Sequence, residues 1–455
     1  MSSANKKRLY KPGPNIKDKI QSLKAAIDDR PPFCSGTVPL AANDLLLFYG
    51  KSTIEEGAGG ASACRLDLTR VTDTEMQRLV DVCEVATFGK NHEEVLDPSY
   101  RSAWKLDPTH FATKLDIIHA GVMDSIRYNL LSGDQGKQTF YAELYKLNVY
   151  GKGSFFKPHK DTPRSEKMFG SLVVVLPIAH EGGTLIFRHK GTEWKIESDV
   201  VAPSSIVYVA FYGDVEHEVT EVKSGHRLTL TYNLYFGESH KSQAIVSTPT
   251  ARTAALLLAL PPNAESFQKK LSELLADDTF LPMGGRLGFG LFHEYPFESD
   301  PKLDRLAEVL KGNDAAIMQA CRTLNLSCAL NVCYEGGDHE SRSVVLCSFV
   351  PELEGDLLMD LPLWEHLEME RKMTLANIKE EGEGKEEINL GPLKRYSPSL
   401  SVYVHWVTEQ TLHNAFKSHS IAFGNEPSLS VDYGRICLIV SVGPPGNRAA
   451  QPIEI

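Results

Sequence analysis

No apolar run in the 455-residue chain reaches the length of a membrane span. The opening stretch MSSANKKRLYKPG has no hydrophobic core of the kind a secretion signal carries. The eight cysteines stand apart at 34, 64, 83, 321, 328, 333, 347 and 437, and no C-x-x-C pair occurs. That spacing is wrong for paired zinc knuckles. Cys321, Cys328, Cys333 and Cys347 lie in apolar context and read as buried thiols of a reducing compartment, the cytoplasm or the nucleus. An excess of positive charge is also missing: the net charge is −11, so nucleic acid is not the expected partner. Lys6, Lys7 and Arg8 make only a short basic cluster, which reads as a solvated tail. No short-period repeat is present. What remains is a globular chain long enough for two or three domains.

Apolar spacing organises that length. Ile16, Ile20, Leu23 and Ile27 mark an opening helix; Met76, Leu79 and Val80 mark a second, with Asp73 as its cap. Leu115, Ile118, Val122 and Ile126 predict a longer helix stopped near Gly133. From Thr139 the period changes to two. AELYKLNVYGKG, FGSLVVVLPI, GGTLIFRH, SSIVYVAFYGD and RLTLTYNLYF alternate with Gly and Pro turns, as in an antiparallel sandwich or jelly roll. Beyond Phe236, helices led by Phe267 and by Leu303 and the runs RLGFGLF, LSCALNVCY, SVVLCSFV, LSVYVHWV and RICLIVSVG predict an α+β region. The expected fold class is α+β. Its boundaries are a helical support region at 1–138, a jelly-roll core at 139–240 and a C-terminal region at 241–455, with an acidic disordered loop at 378–388.

One constellation carries chemistry. KPHKDTP holds His159 and Asp161; His217 follows Asp161 by 56 residues, and Arg227 comes ten residues later, in KSGHRLTL. In a strand, positions two apart share a face, so His159 and Asp161 can grip one ion together. About four strand-like runs separate them from His217, enough for a jelly roll to wind back to its start. Two imidazoles and one carboxylate leave coordination positions open, which suits non-haem Fe(II). Arg227 opens a core strand, where a guanidinium is costly without an anion; a dicarboxylate supplies one, and Thr229 and Tyr150 stand where they could add hydrogen bonds. Asp214 reads equally as a turn residue or as a support of the site, and the flanking Lys160 and Arg164 as solvated charges. His366 and His405, without a matching set, read as structural.

The run from Tyr150 to Arg227 resembles the iron(II)- and 2-oxoglutarate-dependent dioxygenases of the prolyl 4-hydroxylase branch. GKGSFFKPHKDT, GGTLIF and DVEHEVTEVKSGHRLTL carry the resemblance, over residues 139–236. It implies the metal ligands His159, Asp161 and His217, with Arg227 and Tyr150 binding 2-oxoglutarate. Phe156 stands where the family often has tyrosine, so any hydroxyl contact there is absent. The implied cofactors are Fe(II), 2-oxoglutarate and O2, with ascorbate as a further requirement to test. The implied reaction hydroxylates a substrate and releases succinate and CO2, and the expected substrate is a protein (prolyl) side chain. Two alternatives stay open: an oxygenase of a small molecule or nucleic acid base, and a non-catalytic metal-binding jelly roll serving as an interaction module. Some two-domain relatives carry a second, metal-free jelly roll, and the C-terminal runs are compatible with one.

Overall fold

The computed structural model describes residues 15–27, 30–50, 63–90, 93–131, 134–198, 204–238, 244–248, 262–295, 303–335, 343–347, 373–377, 401–411, 414–422 and 428–451. The acidic stretch 378–388, His366 and His413 lie outside them. The chain divides into two units: one of 31–132 and 136–259, the other of 1–30, 133–135 and 260–455.

The first unit holds nine strands that matter for the site: β1 (Phe33–Pro39), β2 (Trp104–Leu106), β3 (Phe140–Tyr150), β4 (Phe155–His159), β5 (Met168–Val175), β6 (Leu185–His189), β7 (Ser205–Tyr212), β8 (Glu216–Val219) and β9 (Arg227–Phe236). The larger sheet runs β1-β7-β5-β9-β3-β2 and ends on Glu84–Val85, with Ala244–Ser247 also on β3. The smaller runs Thr192–Ile196, β6, β8, β4, Arg101–Ser102. Every pairing within these two sheets is antiparallel. β5, β7 and β9 are buried over most of their length, as the continuous Val, Ile, Leu and Tyr runs require. Phe187 on β6 stacks on Phe33 of β1 at 4.7 Å and meets Phe211 of β7 at 5.0 Å, so aromatic rings join the two sheets. This is a jelly-roll core.

Residues 31–132 carry the helices Asp73–Val82 and Val122–Asn129 and also add β1 and β2 to the larger sheet. FCSGTVP shows little alternation, because its pairing with β7 is tertiary. At its centre Gly36 lies under the Tyr208 ring, where a Cβ would come within 2.7 Å of the hydroxyl oxygen. The helix Ile16–Ala25 belongs to the other unit, where Leu23 is buried and Lys19 pairs with Asp277 at 2.6 Å. The second helix, Asp73–Val82, is capped one residue earlier than expected, by Thr72. Its hydroxyl accepts from the Glu75 amide while the Glu75 carboxylate accepts from the Thr72 amide, a capping box. The third is shorter, Val122–Asn129. Asp116 takes the amides of Ile118 and His119 in a turn, and the helix starts only after Gly121 at φ 73°.

The other unit contains a seven-stranded sheet. Gly285–Gly290 pairs with both Ser401–Thr408 and Ser428–Val442, so six of the strands close into a ring. Two pairings are parallel, which sets it apart from an all-antiparallel jelly roll. Phe267, Leu271 and Leu274 of the helix Pro262–Ala276 pack with Leu287, Leu330 and Val440 of the ring. A further helix, Gly312–Thr323, escaped sequence reading because it follows Leu303–Glu308 after a short break.

His405 in this unit titrates in a measurable window. Burial lowers its imidazole to about 4. The unfolded chain takes up a proton near 6.5 that the folded chain refuses until about 4. Stability is therefore fully present above 6.5 and lost as pH falls between the two values, by up to ~3 kcal/mol. Thermal unfolding of wild type and His405→Leu across this range should show a flatter pH dependence in the variant; equal slopes would contradict it.

Candidate active site

β4 and β8 set His159 opposite His217 in register, with ring centroids 4.2 Å apart. Asp161 stands two residues past His159, just beyond the end of β4. One ligand atom from each of the three lies within 4.8 Å of the others, and no other His, Cys, Asp or Glu group of this kind occurs among the described residues. Backbone carbonyls orient both rings. His159 Nδ1 is 2.8 Å from the Lys157 oxygen, and His217 Nδ1 is 3.0 Å from the Val215 oxygen. A carbonyl can only accept, so each Nδ1 carries its proton and each Nε2 keeps a lone pair for a metal. His217 Nε2 faces Asp161 Oδ1 at 3.9 Å, while Ser171 Oγ donates to Asp161 Oδ2 at 2.5 Å. Burial first, and then the His217 ring, hold His159 well below its ordinary value of 6.5, in the neutral form that ligates. The donor set fits Fe(II): two imidazoles and one carboxylate, with their ligand atoms within 4.8 Å of one another.

Phe156 has a visible role without a hydroxyl. Its ring stacks on His159 at 3.5 Å and 23°, and the Arg101 guanidinium carbon lies over the same ring at 4.4 Å from its centroid. Asp214 is buried, but the group that touches His217 Nδ1 is the Val215 carbonyl.

Arg227 and Tyr150 are register partners of β9 and β3, and the guanidinium carbon lies 5.7 Å from the tyrosine ring centroid. Arg227 is only 1% exposed. Among the described residues its side chain makes one long hydrogen bond, from Nε to Ser198 Oγ at 3.4 Å, and Ser198 in turn approaches His180 Nε2 at 3.4 Å. Among the described residues Arg227 makes no ion pair, and burial lowers its guanidinium to about 10, still protonated at neutral pH. Thr229, opposite Asn148, is equally buried.

A cavity of about 300 Å³ opens on His159 and Asp161. Thr231 and Asn233 line it; by strand alternation they share the β9 face that carries Arg227 and Thr229, which are outside the lining. Four cations also line it: Arg101, Lys146, Lys160 and Arg164. Lys160 and Arg164, expected as solvated charges, are exposed. Arg101 and Lys146 were not legible as site residues, since Arg101 comes from a distant strand and Lys146 sits at a break in register between Leu144 and Lys146. Burial first, and then Arg101, lower Lys146 to about 7, with Asp161 acting the other way.

Residues 145–235 match the family model of the 2OG-Fe(II) oxygenase superfamily, a span from within β3 to within β9. No curated protein matches the chain. Among solved structures, a Pseudomonas putida prolyl-4-hydroxylase is similar at 21% identity, over 48% of this chain and 100% of that one, with a TM-score of 0.28. A viral collagen prolyl hydroxylase from Paramecium bursaria Chlorella virus-1 is similar at 14% identity, over 36% of this chain and 91% of that one, with a TM-score of 0.23. A Trichoplax adhaerens prolyl hydroxylase, solved with a peptide fragment of the hypoxia inducible factor oxygen degradation domain, is 14% identical over 49% of this chain and 90% of that one, with a TM-score of 0.27. The matched segment encloses the whole of the His159, Asp161 and His217 cluster on its jelly roll, and over that segment the chain is similar to the 2OG-Fe(II) oxygenase superfamily.

Proposed function

We propose that the protein is an Fe(II)- and 2-oxoglutarate-dependent dioxygenase that hydroxylates a protein side chain, prolyl in the first instance, with release of succinate and CO2. The observation that carries the reading is the pairing of the triad, both Nε2 atoms presented, with a buried Arg227 that has no anion among the described residues. His159, Asp161 and His217 would hold the iron, which when bound supplies the activation of dioxygen. Arg227 would take the distal carboxylate of 2-oxoglutarate as a charge-assisted pair, relieving the cost of burying an unpaired guanidinium. Tyr150 flanks that cation. Phe156, Lys157 and Val215 keep the histidine rings from turning, so the ligand geometry exists before the metal arrives. The run from Tyr150 to Thr162, which reads Y-x-x-G-x-x-F-x-x-H-x-D-T, supports the prolyl choice. Mass spectrometry of a deletion strain for the loss of +16 Da prolyl peptides tests it; an unchanged set would move the reading to the small-molecule or base oxygenase.

Gly183 gives a steric test of the same anion site. It sits at φ +67°, and an added Cβ would lie 2.7 Å from Arg227 Cδ. Gly183→Ala should raise the 2-oxoglutarate requirement by about tenfold, combining left-handed strain of ~1 kcal/mol with displacement of the guanidinium. A titration of 2-oxoglutarate against protein melting temperature reads it; an unshifted titration would place the distal carboxylate elsewhere.

A further inference from the structure

The cavity beside the triad holds more positive charge than iron and 2-oxoglutarate can use. A divalent metal on Asp161 and a dicarboxylate on Arg227 balance one another in charge. Arg101 and Lys146 are then left over. Arg101 is 2% exposed; among the described residues its guanidinium reaches only neutral acceptors, Asn148 Oδ1 at 2.8 Å and the Thr87 carbonyl at 2.7 Å, and its buried Nε has no hydrogen bond. Lys146 Nζ lies over the Tyr145 ring at 4.4 Å, with no hydrogen bond or ion pair among the described residues. Asp161, a carboxylate already committed to the triad and to Ser171, is a favourable charge acting on it, and Glu94 is another. Arg164 closes the rim, stacked over the same Tyr145 ring at 4.5 Å and bonded to its hydroxyl, and Lys160 stands beside it. The opposing acids are few: Asp97 in the lining, and Glu94 nearby, which pairs with Lys105 at 3.8 Å.

A buried Arg101 and a half-buried Lys146, with no ion pair to either among the described residues, leave positive charge in the cavity unmatched in a chain whose own net charge is −11. We infer that the substrate is an acidic peptide, which places a carboxylate or phosphate side chain next to the reacting residue, against Lys146 and Arg101. The inference rests on the dioxygenase reading for the reacting centre but not for the charge preference. An anion arriving at Lys146 would also offset the desolvation that draws its proton away. Arg164 and Lys160, exposed at the rim, steer the approach, whereas Arg101 and Lys146 select at the floor.

Binding of fluorescein-labelled proline peptides to the full-length protein, read by anisotropy, tests this without turnover. Four peptides differ only in the residues flanking the proline: Asp and Glu, Asn and Gln, phosphoserine, and Lys. The acidic peptides should bind at least about tenfold more tightly than the Asn/Gln peptide, and the difference should weaken with added salt. Which of the two acidic forms binds better identifies carboxylate or phosphate as the source of the anion. Lys146→Met, close in length and uncharged, should reduce the preference to about twofold, and Lys146→Arg should restore it; matching circular dichroism and melting curves exclude misfolding. Equal binding of acidic and neutral peptides, a preference for the Lys peptide, or a preference unchanged in Lys146→Met would overturn the inference. Iron-dependent 2-oxoglutarate consumption by the wild type is measured in parallel. Its absence would defeat the dioxygenase reading while leaving the charge preference to stand or fall by the anisotropy.

Discussion

His159→Ala and Asp161→Asn are each expected to abolish tight Fe(II) binding and to cut iron-dependent 2-oxoglutarate turnover more than about a hundredfold. Replacing a group that merely orients a ligand typically costs 10–100-fold, and these substitutions remove a ligand itself. Asp161→Asn is the sharper of the two. The amide keeps the shape of the carboxylate and can still meet Ser171, so the fold is spared, but the charge that holds a cation is gone. His159→Ala also frees the Phe156 ring, which now stacks on His159. Both variants should melt close to the metal-free wild type. Co(II) titration followed by visible absorption checks the binding directly; saturation at the wild-type concentration in either variant would remove that residue from the ligand set.

Arg227→Met is expected to separate binding from stability. The guanidinium is buried with no anion among the described residues, so the folded protein bears its desolvation cost until a ligand arrives. Methionine fills similar space without that cost. The ligand-free variant should therefore be as stable as wild type or more so. Its affinity for 2-oxoglutarate should fall by about 2–5 kcal/mol, the usual loss when one partner of a buried charged pair is removed. Wild type should gain melting temperature with 2-oxoglutarate, and the variant should gain none at the same concentration. A variant less stable without ligand yet shifted normally by it would make Arg227 a structural residue. Arg227→Lys should recover part of the response, since a point charge replaces a bidentate fork.

The site was legible because its chemistry is written in side chains. The order of His159, Asp161, His217 and Arg227, set among period-two apolar runs, required a sheet that returns to its start, and β8 does lie against β4. What orients the site was not legible, because it is backbone: the carbonyls of Lys157 and Val215 belong to residues whose side chains play no part. Arg101 escaped for a different reason. It reaches the cavity from the edge strand of the smaller sheet, and nothing in its local sequence marks that placement. The same held for β1, whose seven residues FCSGTVP carry no strong strand pattern of their own and pair only once β7 exists. In the C-terminal unit the strand runs were readable, but the closure of Gly285–Gly290 onto Ser428–Val442 is a long-range pairing that local periodicity does not encode.

In the proposed reaction this jelly roll consumes 2-oxoglutarate through an iron held by His159, Asp161 and His217. Its most direct test is release of labelled CO2 from 1-labelled 2-oxoglutarate by the purified full-length protein, with and without Fe(II), in the presence of ascorbate and oxygen. The account predicts slow release without any substrate, dependent on added Fe(II), matched mole for mole by succinate and absent in Asp161→Asn. Release that persists equally in Asp161→Asn, or no iron-dependent release from wild type with any cell extract added as substrate, would contradict it and leave the jelly roll as a metal-binding interaction module.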